Sequence, residues 1–430
     1  MKHKILLFLF AGLLVSFNTQ AQDFWKLIPF PDSLGISAVT FNSQGDIYVT
    51  TGTDDDSIDD GVLRSSDQGQ TWEVLYNNSY FAVGPIAVND SGHIYIGVTH
   101  RQYGLRASYD NGNSWSIIQH PALGELTKII CVSTDTILVG AAKSGGVLLM
   151  LTPDRCITWD TLFSTSNHTS ETISDIAIAP DGTIYIGLMC FMEDMGGVYK
   201  STDNGITWEY VGFHNNQVSN IELNAEGDLY VGVFGSFTDL NGGLYVIRNG
   251  SATIDTCLYG PSINGLVVNT AGHIYASIAW TTGIFISKDD GETFEIESSG
   301  LPIGPMGRLY VDQDEYVYAK TDFSSSLLYR TVEPTITDVK NKTELSSPNL
   351  LVLYPNPATD RLTGRLTRKG NCDGRYRLSI LSMSSQVVKE EETSVVSGMF
   401  TIPVTSLPAG LYVVRLNVNT EIFQARFVKR

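Results

Sequence analysis

GDIYVT at residues 45–50, GHIYIG at 92–97, GTIYIG at 182–187 and GDLYVG at 227–232 are copies of one phrase. Its aliphatic anchor recurs seven times, at steps of 43 to 47 residues. The anchors are Ile47, Ile94, Ile137, Ile184, Leu229, Ile274 and Val317. A fixed period of this length is the signature of a repeat architecture.

A second aliphatic position lies eight residues before each anchor. These positions are Val39, Ile86, Ile129, Ile176, Ile221, Leu266 and Leu309. The connections between them, such as NSQGD and NAEGD, contain the Gly that a tight hairpin turn needs for a positive φ. Each repeat therefore begins with two antiparallel strands.

A third strand follows and leads into an S-x-D-x-G-x-T-W turn. The four good copies contain Ser65, Asp67, Gly69 and Trp72; Ser108, Asp110, Gly112 and Trp115; Ser201, Asp203, Gly205 and Trp208; and Ser287, Asp289, Gly291 and Phe294. A worn copy, TPDRCITW, starts at Thr152. This pattern resembles the Asp-box, or BNR repeat, of sialidases, sortilin-type receptors and xyloglucanase-like propellers. We expect a structural role, because the Ser and Asp side chains can bond the turn's own backbone.

Four strands in about 45 residues make one propeller blade. The seventh repeat lacks an outer strand, and Phe24–Ile28 resembles the missing one. We therefore predict an all-β chain: a seven-bladed β-propeller over 22–334, closed by its N-terminal strand, and a small C-terminal β-sandwich. Residues 335–350 are polar and are predicted to be a linker.

Both ends of the chain carry export signals. Lys2 and Lys4 precede an apolar segment and a small-residue cut site, so residues 1–21 are expected to be a signal peptide. Residues 351–430, with YPNP from Tyr354 and a basic end, resemble the type IX secretion sorting domain. The resemblance implies recognition by the type IX translocon and a secreted or outer-membrane surface location. No later stretch is predicted to cross a membrane.

Charge and cysteine content exclude several classes. Residues 22–350 hold 15 Lys and Arg against 40 Asp and Glu, so nucleic acid is not an expected partner. The five cysteines form no CxxC pair, and we expect mostly free core thiols. The acidic segment 53–61 offers oxygen ligands for calcium, but a solvated loop is favoured, and we predict no metal site and no cofactor. His93 and His273 are expected to be solvated turn residues.

The innermost strands define the candidate ligand face. The residue before each first-strand aliphatic should lie at one mouth of the central channel, which places Lys128, Asp175, Asn220 and Arg308 there. Nearby loops would add Arg101, Tyr103, Phe191 and Trp280, which suit stacking and hydrogen bonding. The alternative is that Lys128 and Asp175 only pair with each other and that Arg308 caps backbone carbonyls.

These residues favour a non-catalytic module that binds a glycan or a protein. The sialidase F/Y-R-I-P motif is absent, and no motif identifies a catalytic residue. A glycoside hydrolase, which needs two facing carboxylates, and a structural surface protein are the alternatives.

Overall fold

The computed structural model describes residues 23–31, 35–52, 60–78, 83–98, 104–120, 122–143, 145–166, 171–190, 196–214, 216–235, 242–279, 282–322, 327–336, 350–354, 358–367, 373–382, 386–396, 399–418 and 421–429. Within these residues the regular structure is all β, in 35 strands. The chain divides into two compact units, Met1–Thr337 and Asp338–Arg430. The predicted signal peptide lies outside the described residues, as do most of the linker and segment 53–59.

The first unit consists of seven four-stranded antiparallel sheets, which we number as blades 1 to 7. The innermost strands are β2 (Ile36–Phe41), β6 (Val83–Val88), β10 (Glu125–Cys131), β14 (Glu171–Ile178), β18 (Gln217–Leu223), β22 (Ile263–Val268) and β26 (Met306–Val311). The second strands are β3 (Ile47–Thr51), β7 (Ile94–Val98), β11 (Ile137–Lys143), β15 (Ile184–Cys190), β19 (Leu229–Phe234), β23 (Ile274–Ile278) and β27 (Val317–Thr321). The third strands are β4 (Asp60–Ser65), β8 (Gly104–Ser108), β12 (Gly146–Thr152), β16 (Gly197–Ser201), β20 (Gly242–Ile247), β24 (Ile284–Ser287) and β28 (Leu328–Thr331). The outer strands are β5 (Glu73–Asn78), β9 (Ser116–Ile118), β13 (Asp160–Ser164), β17 (Glu209–Gly212), β21 (Asp255–Gly260), β25 (Glu295–Glu297) and, for blade 7, β1 (Trp25–Ile28).

Every predicted anchor is the first residue of a second strand. In β3, β7 and β23 every residue is buried, because both faces of an interior strand pack against neighbouring blades. The sequence of such a strand is a continuous apolar run rather than an alternation of apolar and polar residues. The repeated phrase is therefore the buried centre of each blade, and the propeller prediction is confirmed.

Each seam between neighbouring blades is held by at least one polar contact. In ring order these are Thr50 to the Gly84 carbonyl, Asn89 to the Thr134 carbonyl, Lys128 to Asp175, Asp175 to the Ile221 amide, Ser219 to the Ile263 carbonyl, Ser277 to the Gly307 carbonyl, and Trp72 to the Pro29 carbonyl. The seventh contact joins blade 1 to blade 7, so the seven sheets form a closed ring.

The N-terminal strand β1 completes blade 7 by pairing antiparallel with β28, from Trp25 opposite Thr331 to Ile28 opposite Leu328. Trp25 and Ile28 are 1% and 2% exposed. They enter two different apolar clusters, one towards blade 6 and one towards blade 1. The closing strand thus covers an open sheet edge and seals a seam at the same time.

The S-x-D-x-G-x-T-W turns join third to fourth strands. In blade 4, Ser201 Oγ donates to Asp203 Oδ1 (2.8 Å) and accepts from the Gly205 amide (2.8 Å), and Thr207 bonds both oxygens of Asp203. Blades 1, 2 and 6 repeat this network. The worn copy keeps it, with Cys156 at the Gly position and a φ of 66°.

The prediction that His93 is solvated is wrong. His93 is 5% exposed, and its Nδ1 lies 3.0 Å from the Thr134 carbonyl of blade 3. Its ring meets Tyr109 edge-on. The turn is buried because the inner hairpins of blades 2 and 3 pack side by side. His273 is half-buried, and burial lowers its pKa.

The second unit contains two packed sheets. One has the strand order β29 (Leu350–Tyr354), β30 (Arg361–Thr367) and β33 (Met399–Pro403), and the other has β32 (Val387–Val395), β31 (Gly374–Ser382), β34 (Gly410–Val418) and β35 (Glu421–Lys429). Leu362 and Ile402 of the first sheet share one core with Val414 and Phe423 of the second. This is the predicted small β-sandwich.

Candidate functional site

A β-bulge near the start of each innermost strand determines which side chains lie at the central channel. The register shifts lie at Ile36/Ala38, Val83/Ile86, Leu126/Lys128, Ile173/Asp175, Val218/Asn220, Ile263/Gly265 and Met306/Leu309. A bulge redirects the side chain beside it, and bulges are frequent next to functional sites. The residues predicted to ring the channel are thus the ones at the bulges. We define the channel mouth by Lys128, Asp175, Asn220 and Arg308.

Lys128 and Asp175 form an ion pair between blades 3 and 4, with Nζ 2.5 Å from Oδ1. The Asp175 side chain is 5% exposed and that of Lys128 is 26% exposed. Asp175 also accepts from its neighbour's amide, Ile176 N, at 3.0 Å and from Ile221 N of blade 5 at 3.4 Å. Because both carboxylate oxygens are occupied, Asp175 holds three blades together.

Arg308 of blade 7 reaches across the channel. Its guanidinium donates to the Ser174 carbonyl of blade 4 at 3.4 Å. Blades 4 and 7 are not neighbours in the ring, so this long hydrogen bond spans the centre. Among the residues that the structure describes, no carboxylate forms an ion pair with Arg308.

A second layer of side chains lies two residues further along the same strands, because alternate residues of a strand share a face. Glu222 follows Asn220 in this way, and Tyr310 follows Arg308. Burial and the negative charge of Asp175 raise the pKa of Glu222 to about 8, against the opposing charge of Lys128. Glu222 keeps some exposed surface although protein surrounds it closely, as a side chain inside a channel does. Its surroundings therefore favour the neutral form of the carboxyl group.

Several polar atoms of this region lack hydrogen-bond partners. Asn220 is 5% exposed, and its Oδ1 is buried without a donor. Thr127 Oγ1, beside the blade 3 bulge, is also unpartnered. The Tyr310 hydroxyl lies close to the Val39 backbone, but no atom meets hydrogen-bond geometry with it. Buried polar groups in folded proteins are usually bonded, so each of these atoms needs an explanation.

The remaining wall of the channel mouth is small or apolar. Ala38, Pro85 and Gly265 occupy the equivalent bulge positions of blades 1, 2 and 6. A Cβ on Gly265 would lie 2.6 Å from the Gly307 carbonyl oxygen of blade 7, so only Gly allows the two blades this approach. The mouth is therefore polar on blades 3, 4, 5 and 7.

The structure brings Lys128 and Asp175 together and directs Arg308 to a backbone carbonyl, which is the pairing that the alternative interpretation predicted. Arg101, Tyr103, Phe191 and Trp280 lie outside the described residues. Glu222 and Tyr310 were not predicted, although the two-residue period of the innermost strands points to both. In the described part of the chain, no cluster of three or more His, Cys, Asp or Glu side chains suits a metal ion.

Among known protein families, one matches the second unit of the chain. Residues 352–430 match the family described as secretion system C-terminal sorting domain. No curated protein matches the chain significantly. The described residues contain no helix of the length and apolarity that a membrane span requires.

Three solved structures show the same fold. YCF48 bound to a D1 peptide is 15% identical, covers 72% of this chain and 97% of its own, and has a TM-score of 0.56. PorZ, an essential bacterial surface component of the type IX secretion system of Porphyromonas gingivalis, is 14% identical over 92% of this chain and 59% of its own, with a TM-score of 0.55. A GH74 enzyme of Niastella koreensis is 14% identical over 93% and 74%, with a TM-score of 0.56. At these identities the likeness shows the fold alone. With the sorting domain, the chain is a propeller protein exported to the cell surface or beyond.

Proposed function

We propose that this propeller binds a ligand at its channel mouth without transforming it, after export by the type IX system. The observation that carries the proposal is the unpartnered Oδ1 of Asn220, a buried acceptor at the bulge of the innermost strand of blade 5. A bound ligand that donates a hydrogen bond would satisfy it. A structural role does not explain it, because an unbonded buried acceptor costs stability.

A matched pair of variants on one hairpin tests this proposal. Asn220→Ala removes an acceptor that bonds to nothing in the free protein, so the unfolding midpoint should stay the same or rise. Asn224→Ala removes bonds to the Asp228 amide (2.8 Å) and carboxylate (3.2 Å), so it should lower the midpoint. Screening the full mature chain on glycan and peptide arrays should show a ligand that Asn220→Ala weakens and Asn224→Ala leaves bound. Failure of every probe to bind, or unchanged binding by Asn220→Ala, would contradict the proposal.

The Asp-box assignment of the S-x-D-x-G-x-T-W turns belongs to the same proposal. These turns lie at the third-to-fourth-strand connections, at the opposite end of the strands from the channel mouth. The bonds within blade 4's turn are all local, between residues 201 and 207. Their network stabilises the five blades that contain it and leaves ligand recognition to the other face.

A glycoside hydrolase is the second candidate, since Glu222 carries a raised pKa beside the Asp175 carboxylate. Two neighbouring carboxyl groups in different environments can act as acid and base. Against this, both oxygens of Asp175 are already bonded, so neither is free to activate water. Release of reducing ends from a polysaccharide, lost in Glu222→Gln, would favour the hydrolase over the binding module.

Export through the C-terminal unit is the other part of the proposal. Removal of Leu351–Arg430 should leave the propeller in the periplasm, because the sorting domain contains the signal for export across the outer membrane. Cell fractionation with an antibody against the propeller measures this. Normal display of the truncated chain on the surface would show that the export signal lies elsewhere in the chain.

A further inference from the structure

The first residue of β14, Glu171, is a carboxylate that is only 5% exposed. Thr165 Oγ1 donates to Glu171 Oε2 at 2.7 Å, and the same hydroxyl accepts from the Val147 amide of blade 3 at 3.0 Å. Among the residues that the structure describes, no Lys or Arg forms an ion pair with Glu171. Buried charges in folded proteins are usually paired, so this carboxylate favours the approach of a cation.

A ladder of aromatic rings leads from beside this carboxylate to the surface of blade 4. Burial and the negative charge of Glu171 raise the pKa of Tyr199, so these two side chains lie close together. The Tyr199 ring is 5.3 Å from the ring of Phe163 and 5.3 Å from that of Tyr210, and His214 meets Tyr210 edge-on at 6.2 Å. Because Tyr210 is 42% exposed, the ladder ends in solvent on the outer strand β17.

The backbone of blade 4 fixes the position of the exposed ring. Tyr210 lies opposite Tyr199 in the pairing of β16 with β17, directly beside a β-bulge. A Cβ on Gly197 would come within 3.0 Å of Tyr210 Cε2, and Gly197 has a φ of 108°. Glycine at this position therefore lets the ring lie close against the third strand.

This combination of groups suits a cation. The face of an aromatic ring is negative, and it attracts ammonium and guanidinium groups within about 6 Å of its centroid. Residues 22–350 hold 40 acidic and 15 basic side chains, so the long-range field of the unit draws cations towards the same ring. A neutral sugar could stack on a tyrosine ring, but it would gain little from the carboxylate or from the field.

We propose that Tyr210 binds the cationic side chain, lysine or arginine, of a protein partner. The cation lies against the exposed part of the Tyr210 ring. Glu171 is a positioning charge, which acts from behind Tyr199 and does not contact the partner. The site contains neither Asn220 nor Arg308, so it does not depend on the binding proposed at the channel mouth.

The test measures the binding of short Gly/Ser peptides to the full mature chain by saturation-transfer NMR. The peptides differ only in one central residue, which is Lys, Arg or norleucine, the last being a neutral side chain of similar length. The norleucine peptide should bind at least about fivefold more weakly than the better of the two cationic peptides, which corresponds to about 1 kcal/mol.

Four variants locate the preference. Tyr210→Ala should abolish it and Tyr210→Phe should keep it, because phenylalanine retains the ring. Tyr259→Ala is the control, since Tyr259 is a 71% exposed tyrosine on the outer strand of blade 5. Glu171→Gln should reduce the preference, because the amide still accepts from Thr165 but carries no charge. Trp fluorescence unfolding checks that each variant is folded, and the Tyr210 pair decides the matter if Glu171→Gln is not.

Three outcomes would overturn the inference. Equal binding of the norleucine peptide, or no binding of any peptide, would remove the requirement for a cation. A folded Tyr210→Ala protein that keeps the preference would place the cation elsewhere on the acidic surface. Choline that binds more tightly than either cationic peptide would make the site a receptor for quaternary ammonium groups instead of protein side chains.

Discussion

Lys128→Met should destabilise the propeller, because it removes the cation that pairs with Asp175. The Asp175 side chain is only 5% exposed, so its carboxylate would remain buried between three blades without a counterion. Removing one partner of a buried ion pair costs about 3–5 kcal/mol. Two backbone amides still donate to Asp175, so we expect about 2–3 kcal/mol, below that range.

Urea unfolding followed by Trp fluorescence measures this loss in the propeller alone. All six Trp residues lie between positions 25 and 280, and residues 351–430 contain none. Lys200→Met is the matched control, since Lys200 pairs with Glu209 at 3.3 Å with side chains 32% and 71% exposed. An exposed pair contributes about 0–1 kcal/mol. Equal losses in the two variants would refute the reasoning that burial makes the Lys128 pair costly to break.

Three further predictions concern other parts of the first unit. Asp203→Ala should lower the unfolding midpoint, because it removes the hydrogen bonds to Ser201 and Thr207, whereas Thr202→Ala is the neutral control. Ligand binding per folded molecule should be unchanged, and lost binding in a fully folded protein would contradict the structural role. Deleting Gln22–Phe30 should lower the melting temperature of the whole propeller, because Trp25 and Ile28 leave two seams; an unchanged melt would show that β1 is a loose arm. The pKa of Glu222 is raised from 4.5 to about 8, so the folded state binds the extra proton and wild-type stability should fall as pH rises from about 5 to 8. Glu222→Gln should flatten that slope in a series of urea titrations, and an identical slope in the variant would show that Glu222 is ionised in the fold.

The sequence was enough to predict the architecture because the information was repeated. Seven anchors at nearly constant spacing each mark a strand that is buried on both faces, and Ile47 and Ile94 are fully buried as a result. An error in any single repeat would have left the other six in place. The closing strand β1 could also be predicted from the sequence, because Trp25 and Leu27 repeat the outer-strand pattern and a propeller cannot leave one sheet incomplete.

The site was only partly predictable, because it depends on which blades face each other. The register gave Lys128 and Asp175 correctly as neighbours, since they occupy equivalent positions in adjacent repeats. The bond from Arg308 to the Ser174 carbonyl joins residues 134 positions apart in non-adjacent blades. No sequence period links those two positions, and only the diameter of the channel decides whether an arginine side chain reaches across.

The bulges supply groups that hold neighbouring blades together, and they lie at the positions where we propose ligand binding. Each bulge leaves one backbone or side-chain group of the innermost strand outside the regular ladder, and in blades 2 and 7 the freed carbonyls of Gly84 and Gly307 accept bonds from the preceding blade. In blade 4 the freed Ser174 carbonyl instead accepts from Arg308, across the channel. A ligand that draws Arg308 away breaks one long bond and disturbs no seam between neighbouring blades. Under the proposed binding function, the channel mouth would exchange this contact for a ligand while the ring stays closed.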